Sequence, residues 1–385
     1  PVAFAIGIAT VLVLAQSLPL DVTLITTAQR LATSLDSFTL LAIPLFILAG
    51  ELMGRGGIAE RLINLARVLL AGLPNGLAHV HILASMLFGS LSGSAVAAAS
   101  AVGGVMGPRM REEGYSPGTA AAVNISSATT GLLIPPSNVL IIYSLASGGV
   151  SITALFVAGY LPGLLVGLAL ALAVQLSVPA PKSEVSRRSE LRRTFLDALP
   201  SLGLPLLVMG GIVAGVFTPT EASAIAVLYA GALCLVYRSL SFGELPGVLS
   251  AAAITTGAVV LLIATSMALS WLLAFERIPQ ALAEGLTAGI ENPLVLLLAI
   301  NLVLLAVGTF MDMTPAILIF APIFLPVAVG LGIDPVHFGV MMVLNLCIGL
   351  CTPPVGTVLF VGCGVAGTSL AEVIKPLLPM YLAML

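Results

Sequence analysis

Four short stretches set oxygen donors beside backbone-breaking residues within apolar surroundings. They are Ser92-Gly93-Ser94, GLLIPPSNVL from Gly131 to Leu140, GTFMDMTP from Gly308 to Pro315, and GLCTPPVGTV from Gly349 to Val358. Proline removes a backbone donor and clashes with the preceding turn, so Pro135-Pro136 and Pro353-Pro354 are expected to stop a helix and leave carbonyls unpaired. Carbonyl and hydroxyl oxygens are hard ligands suited to a small alkali cation. The candidate cation ligands are Ser92, Ser94, Gly131, Ile134, Thr309, Asp312, Thr314, Gly349 and Thr352. Helices that restart after a break aim N–H groups at the same space, which favours an anion such as a carboxylate. Its candidate ligands are Ser92, Gly93, Ser94, Ser137, Asn138, Thr309, Thr314 and Gly356. Because neither tip nor break contains arginine or lysine, N–H groups, hydroxyls and Asn138 are expected to meet the anion.

Asp312 carries the one charge in these stretches. A carboxylate near mid-membrane costs about 2.5 to 3.5 kcal/mol on insertion scales, so it needs a partner or a task. Two readings stand. Asp312 caps the helix that follows, accepting from Thr314 or Ala316, or it also supplies charge to a cation site shared with Thr309, Thr314 and the carbonyls of Gly349 to Thr352. The corresponding site in the first half, built from Ser92, Ser94 and the carbonyls before Pro135, is neutral.

These stretches sit in a chain that is 59% apolar and 8% charged, with mean hydropathy +1.17. Such a composition predicts an all-α polytopic membrane protein, since windows such as Ile152 to Ser177 and Thr255 to Phe275 run about 20 residues without a charge. No alternation typical of a membrane barrel is present. A net charge of −3 without a basic tail gives no reason to expect nucleic acid, and continuous apolar character argues against a cleavable signal. Hydrolase, nucleotide-binding and metalloprotease motifs are missing, so an enzyme is not expected. Cys234, Cys347, Cys351 and Cys363 read as small packing residues, and His79, His81 and His337 as interfacial side chains.

An internal repeat organises the chain. At a constant offset of 218, Pro108, Pro117, Pro135 and Pro136 fall on Pro326, Pro335, Pro353 and Pro354, and Gly131 falls on Gly349. Residues 1–178 form the first copy and residues 198–385 the second, joined by the basic linker 179–197, which the positive-inside rule places in the cytoplasm. In copy one, residues 77–108 have arms too short to cross comfortably around Ser92-Gly93-Ser94, predicting a re-entrant hairpin, followed by a broken helix over 117–147. The hairpin keeps Arg55, Arg61 and Arg67 cytoplasmic. In copy two the hairpin spans 293–329 and the broken helix 335–365. There the flanking charges are Glu276, Glu284 and Glu291 with only Arg277, the reversed bias expected of inverted topology.

FGSLSGSAVAAASAVGGVMGPRM, GLLIPPSNVLIIY, VGTFMDMTPAILIFAPIFLPVA and GIDPVHFGVMMVLNLCIGLCTPPVGTVLFV together resemble the large membrane subunit of tripartite ATP-independent periplasmic (TRAP) transporters. The resemblance runs over essentially the whole chain. It implies an elevator-type importer of organic anions, usually carboxylates, in a bacterial or archaeal cytoplasmic membrane. It also implies sodium (Na+) as the co-transported ion with no organic cofactor, and two partners: a small membrane subunit not fused within this chain and a periplasmic substrate-binding protein. The hairpins and broken helices would move together against a scaffold containing Ala3 to Ser17, Leu199 to Phe217 and Pro219 to Tyr237. The family often has an acid after the SGSAVA of the first hairpin. Here Ala98 and Ala99 occupy that neighbourhood, so no charged ligand is expected in the first tip. Comparison of the two copies also predicts a helix upstream of Pro1 and about ten further residues at the end. The other readings are a stand-alone sodium-coupled carboxylate or ion exchanger of related architecture, a passive channel, and an intramembrane enzyme. The polar tips are few and short for a pore, and Asp312 has no obvious second acid.

Overall fold

The computed structural model describes residues 2–70, 73–179, 191–278, 281, 284–285 and 292–385, and among them no strand occurs. The first helices are α1 (Val2–Ser17), α2 (Leu20–Ser34), α3 (Ala42–Arg55) and α4 (Ile58–Leu70). Two arms, α5 (Gly76–Ser92) and α6 (Ala95–Glu112), meet at Gly93, and the broken pair α7 (Pro117–Thr130) and α8 (Asn138–Ala146) follows. After α9 (Ile152–Ser177) come α10 (Leu191–Val213), α11 (Pro219–Tyr237) and α12 (Leu245–Phe275). The last five are α13 (Pro293–Phe310), α14 (Met313–Gly330), α15 (Pro335–Cys351), α16 (Thr357–Ala366) and α17 (Leu370–Met384).

Helix starts follow local chemistry. Ser116 accepts from the Thr119 N–H ahead of Pro117, and Ser151 accepts from the Ala154 N–H. Thr218 and Glu221 form a reciprocal capping box at the start of α11. The offset of 218 carries the starts of α6, α7 and α9 onto those of α14, α15 and α17, and the end of α5 onto the end of α13. Proline spacing in the sequence thus reports helix spacing in space.

Packing follows the same register. Arm α5 lies on α7 as α13 lies on α15, while each second arm packs on the other copy's restarted helix, α6 on α16 and α14 on α8. Glycine lets the arms approach. A Cβ on Gly131 would fall 2.4 Å from the Gly89 Cα, and one on Gly349 would fall 2.6 Å from the Gly308 Cα. Ser127 Oγ donates to Ser85 Oγ at 3.1 Å in the first contact, and Asn345 Nδ2 donates to Asn301 Oδ1 at 2.8 Å in the second. A second group of helices, in which α3 packs on α11 and α1 on α12, flanks this interlocked body.

Six helical segments among the described residues are long and apolar enough to cross a membrane, and Met313–Gly330 is one of them. The arms of the first hairpin are 17 and 18 residues, longer than the sequence predicts, equivalent to roughly 25 Å of helix. Helix α10 begins at Leu191, so the end of the expected linker is helical; Lys182, Arg187, Arg188 and Glu291 lie outside the described residues. His81 is not interfacial: it is fully buried, 3.0 Å from Asn124 Oδ1 through Nε2, while Asn124 Nδ2 donates to the Ala99 carbonyl. His79 is also buried, 3.2 Å from Gln175. The cysteines pack as expected. Cys347 and Cys351 turn their thiols toward the Thr129 and Ile125 carbonyls, tying α15 to α7.

Candidate functional site

A cavity of about 610 Å³ opens where both hairpin tips meet the restarted helices. Ser92, Gly93 and Ser94 come from the first tip, Asp312, Met313 and Thr314 from the second, Asn138 from the start of α8 and Thr357 from the start of α16. Glu51 and Arg55 of α3, Ser100 of α6 and Thr255 of α12 complete the polar wall. The cavity therefore lies between the interlocked body and its flanking helices.

Local structure fixes the first tip. Gly93 has φ +63°, and the space its Cβ would take is filled by the Asn138 amide, 2.7 Å from Nδ2. A chiral residue would be strained there and would also push Asn138 aside. Ser94 caps α6, accepting from the Ala97 N–H at 3.2 Å. Opposite it, Gly50 of α3 stands against the Ser92 carbonyl, 3.0 Å from where its Cβ would be.

The restarted helices present two buried oxygens with no hydrogen-bond partner, Asn138 Oδ1 and Thr357 Oγ1. Buried polar atoms are nearly always satisfied, and both of these residues line the cavity, which makes them candidate ligand contacts. Sequence reasoning found Asn138 and missed Thr357, choosing its neighbour Gly356. The offset of 218 carries Asn138 onto Gly356, so the repeat pointed to that neighbour; the second restarted helix begins one residue later, at Thr357, and no sequence signal marks the shift.

Six predicted residues share the cavity: Ser92, Gly93, Ser94, Asn138, Asp312 and Thr314. The others are not among its lining residues. Ser137 is buried and donates to the Leu132 carbonyl at 2.5 Å. The Thr309 and Thr352 hydroxyls donate to the carbonyls of Ala306 and Ile348, both at 2.7 Å. Gly349 accepts from the Thr352 N–H at 2.9 Å, and Gly131 packs on Gly89. Ile134 lies against Gly163 of α9. Gly356 donates its N–H to the Thr309 carbonyl at 2.9 Å, joining the second hairpin to the second break.

Asp312 holds the N-cap position of α14, yet its carboxylate closes no cap hydrogen bond. It lies near the Met313 and Thr314 N–H groups, and the Ala316 N–H goes to its backbone carbonyl at 3.2 Å. Arg55 and Glu51 are a departure. No cation was expected at the tips or breaks, and none is there, but α3 brings one to the same cavity from about 40 residues upstream. Nearby, Glu244 accepts from the Ser241 N–H and hydroxyl, both at 2.8 Å, and these bonds, assisted by Arg55, hold its carboxyl below the usual range.

Two paired helical arms, two interrupted helices and one cavity between them define a polytopic helical membrane transporter. Residues 1–385 match the family described as Tripartite ATP-independent periplasmic transporter, DctM component. The chain belongs to that family, as a large membrane subunit of TRAP transporters and a multi-pass protein of the cytoplasmic membrane. It is 54% identical to the uncharacterized protein YgiK of Salmonella typhimurium, covering 100% of this chain and 89% of that one. It is 37% identical to the 2,3-diketo-L-gulonate TRAP transporter large permease protein YiaN of Escherichia coli, covering 93% and 85%. The solved structure of Neisseria gonorrhoeae MtrF aligns with a TM-score of 0.66 over 95% of this chain and 83% of that chain at 14% identity, a likeness of fold.

Proposed function

We propose that this chain is the translocation subunit of a sodium-coupled importer of organic anions, carboxylates such as dicarboxylates or sugar acids, and that it is not an enzyme. The observation that carries the reading is the convergence of both tips, both unsatisfied oxygens and Arg55 on one cavity. A carboxylate placed there meets the Asn138 and Thr357 helix starts, the hydroxyls of Ser92, Ser94 and Thr314, and the Arg55 guanidinium. YiaN, similar over most of its length, carries a sugar acid in its name. Sodium would sit toward the tips, where Asp312 supplies negative charge and Thr309, Gly349 and Thr352 orient the backbone.

The two copies act as inverted repeats, and the body made of hairpins and broken helices moves as an elevator against α1, α3, α10, α11 and α12. The crossed packing of α6 on α16 and α14 on α8 supports a single moving body. Substrate reaches it from a periplasmic binding protein, with a separate small membrane subunit bracing the scaffold. Uptake of labelled carboxylates into liposomes holding this chain, the small subunit and the binding protein tests the reading. Uptake against the anion gradient should require inward-directed sodium. Uptake indifferent to sodium would overturn the coupling, and equal uptake by this chain alone would favour the stand-alone exchanger.

A further inference from the structure

A second cavity, about 710 Å³, lies away from the transport site between α4, the start of α10 and the end of α11. We infer that it is a phospholipid headgroup site selective for a phosphate paired with a primary ammonium, as in phosphatidylethanolamine. This inference does not depend on the proposed transport function.

Helix α4 is amphipathic. Leu62, Ile63, Leu65 and Ala66 are at most 2% exposed and face the core, which leaves Glu60, Arg61, Asn64 and Arg67 on the cavity side at helical spacing. The Arg61 guanidinium lies 3.5 Å from the centre of the Tyr237 ring and donates to the Gly57 carbonyl at 3.2 Å. Tyr237 in turn donates to the Asp197 carbonyl at 3.4 Å. The Gly57 bond uses one of the five guanidinium donors, so the group is held in place with donors to spare. Two guanidiniums, Arg61 and Arg67, and two carboxylates, Glu60 and Asp197, thus line one space.

That charge pattern matches a zwitterion. Arginine pairs with phosphate oxygens, and a carboxylate accepts from the N–H groups of a primary ammonium. A quaternary ammonium has no N–H to donate, and a glycerol headgroup has no cation for Glu60 and Asp197. The rim is apolar and open at Leu196, which lines the cavity and is 54% exposed, and Leu69, Phe195 and Leu199, each next in sequence to a lining residue, are 55%, 43% and 45% exposed, as acyl-chain neighbours would be. The basic residues place this rim at the cytoplasmic surface of the bilayer. A solvated charged face would show the same residues without lipid selectivity, which makes the two readings separable.

The test is native mass spectrometry of the purified, delipidated protein titrated with phosphatidylethanolamine, phosphatidylglycerol and phosphatidylcholine of identical acyl chains. Phosphatidylethanolamine should bind most tightly. Arg67→Gln, at an exposed position, should weaken it by roughly tenfold, the scale of one charge-assisted hydrogen bond. Glu60→Gln, also exposed, should erase the preference over phosphatidylglycerol while keeping phosphate binding. Equal retention of all three lipids, or unchanged retention by both variants with unchanged melting temperatures, overturns the site. Displacement of lipid by millimolar inorganic phosphate would make it a site for free anions instead and overturns the lipid assignment.

Discussion

Gly93 and Asn138 share one small volume: the missing side chain of the first is the seat of the second, with the would-be Cβ 2.7 Å from Nδ2. This couples the first hairpin tip to the restarted helix behind it. Gly93→Ala should therefore raise the half-saturating anion concentration, because the methyl displaces Asn138, and should cost about 1 to 2 kcal/mol of stability from the left-handed backbone. Adding Asn138→Ser to that variant should restore melting in part while leaving anion affinity poor. Thermal melting and uptake kinetics of the two single variants and the double variant check it; strict additivity would disconnect the pair.

Arg55 should act on the anion. It reaches the cavity from α3, in the flanking group of helices, and not from a tip or a break. Arg55→Gln should raise the half-saturating substrate concentration by about tenfold with little change in sodium dependence, whereas Arg55→Lys keeps the charge and loses less. Equal damage to sodium dependence in Arg55→Gln would assign the residue to ion coupling or to Glu244 instead.

What the sequence made legible and what it hid divide by range. Pro135-Pro136, Pro353-Pro354 and Gly93 act on their own backbone, so the breaks and the first tip stand where the residues put them. The offset of 218 places the starts of α6, α7 and α9 on those of α14, α15 and α17 to the residue, because duplication preserves proline and cap positions together, while the restarted helices α8 and α16 differ by one residue. Arg55, Glu51 and Thr255 join the site through the packing of α3 and α12 on the tips, and no local pattern marks that approach. His81 was misread for the same reason. Its burial depends on Asn124, 43 residues away. Ser137, Thr309 and Thr352 have the right oxygens in the right stretches, but in apolar surroundings a hydroxyl turns to the nearest carbonyl.

Gly356 should be intolerant of a side chain. Its φ is +39°, and a Cβ would lie 2.8 Å from the carbonyl oxygens of both Leu350 and Thr352. Gly356→Ala would push the break open and strain the N–H bond to the Thr309 carbonyl, at a cost of about 1 to 3 kcal/mol. Transport should fall steeply while membrane insertion persists. Gly364→Ala, with open space around its Cβ, is the matched control and should transport normally in the same uptake assay.

Asp312 separates capping from ion binding. Its carboxylate closes no cap hydrogen bond and lines the cavity, so removing it should cost the α14 start little. If it supplies charge to sodium, Asp312→Asn and Asp312→Ala should both raise the sodium concentration for half-maximal uptake, by roughly tenfold or more for a lost charged ligand. Their melting temperatures without sodium should stay near the parent value, or rise, because an uncompensated carboxylate leaves the apolar region. Sodium should stabilise the parent against heat and stabilise the variants less, since a ligand that binds only the folded state raises its stability in proportion to occupancy. The two substitutions also test each other. Asn keeps an oxygen that can cap while Ala does not, so if Asn matched the parent in sodium dependence and Ala alone lowered the melting temperature, Asp312 would be a helix cap and the sodium charge would have to come from elsewhere.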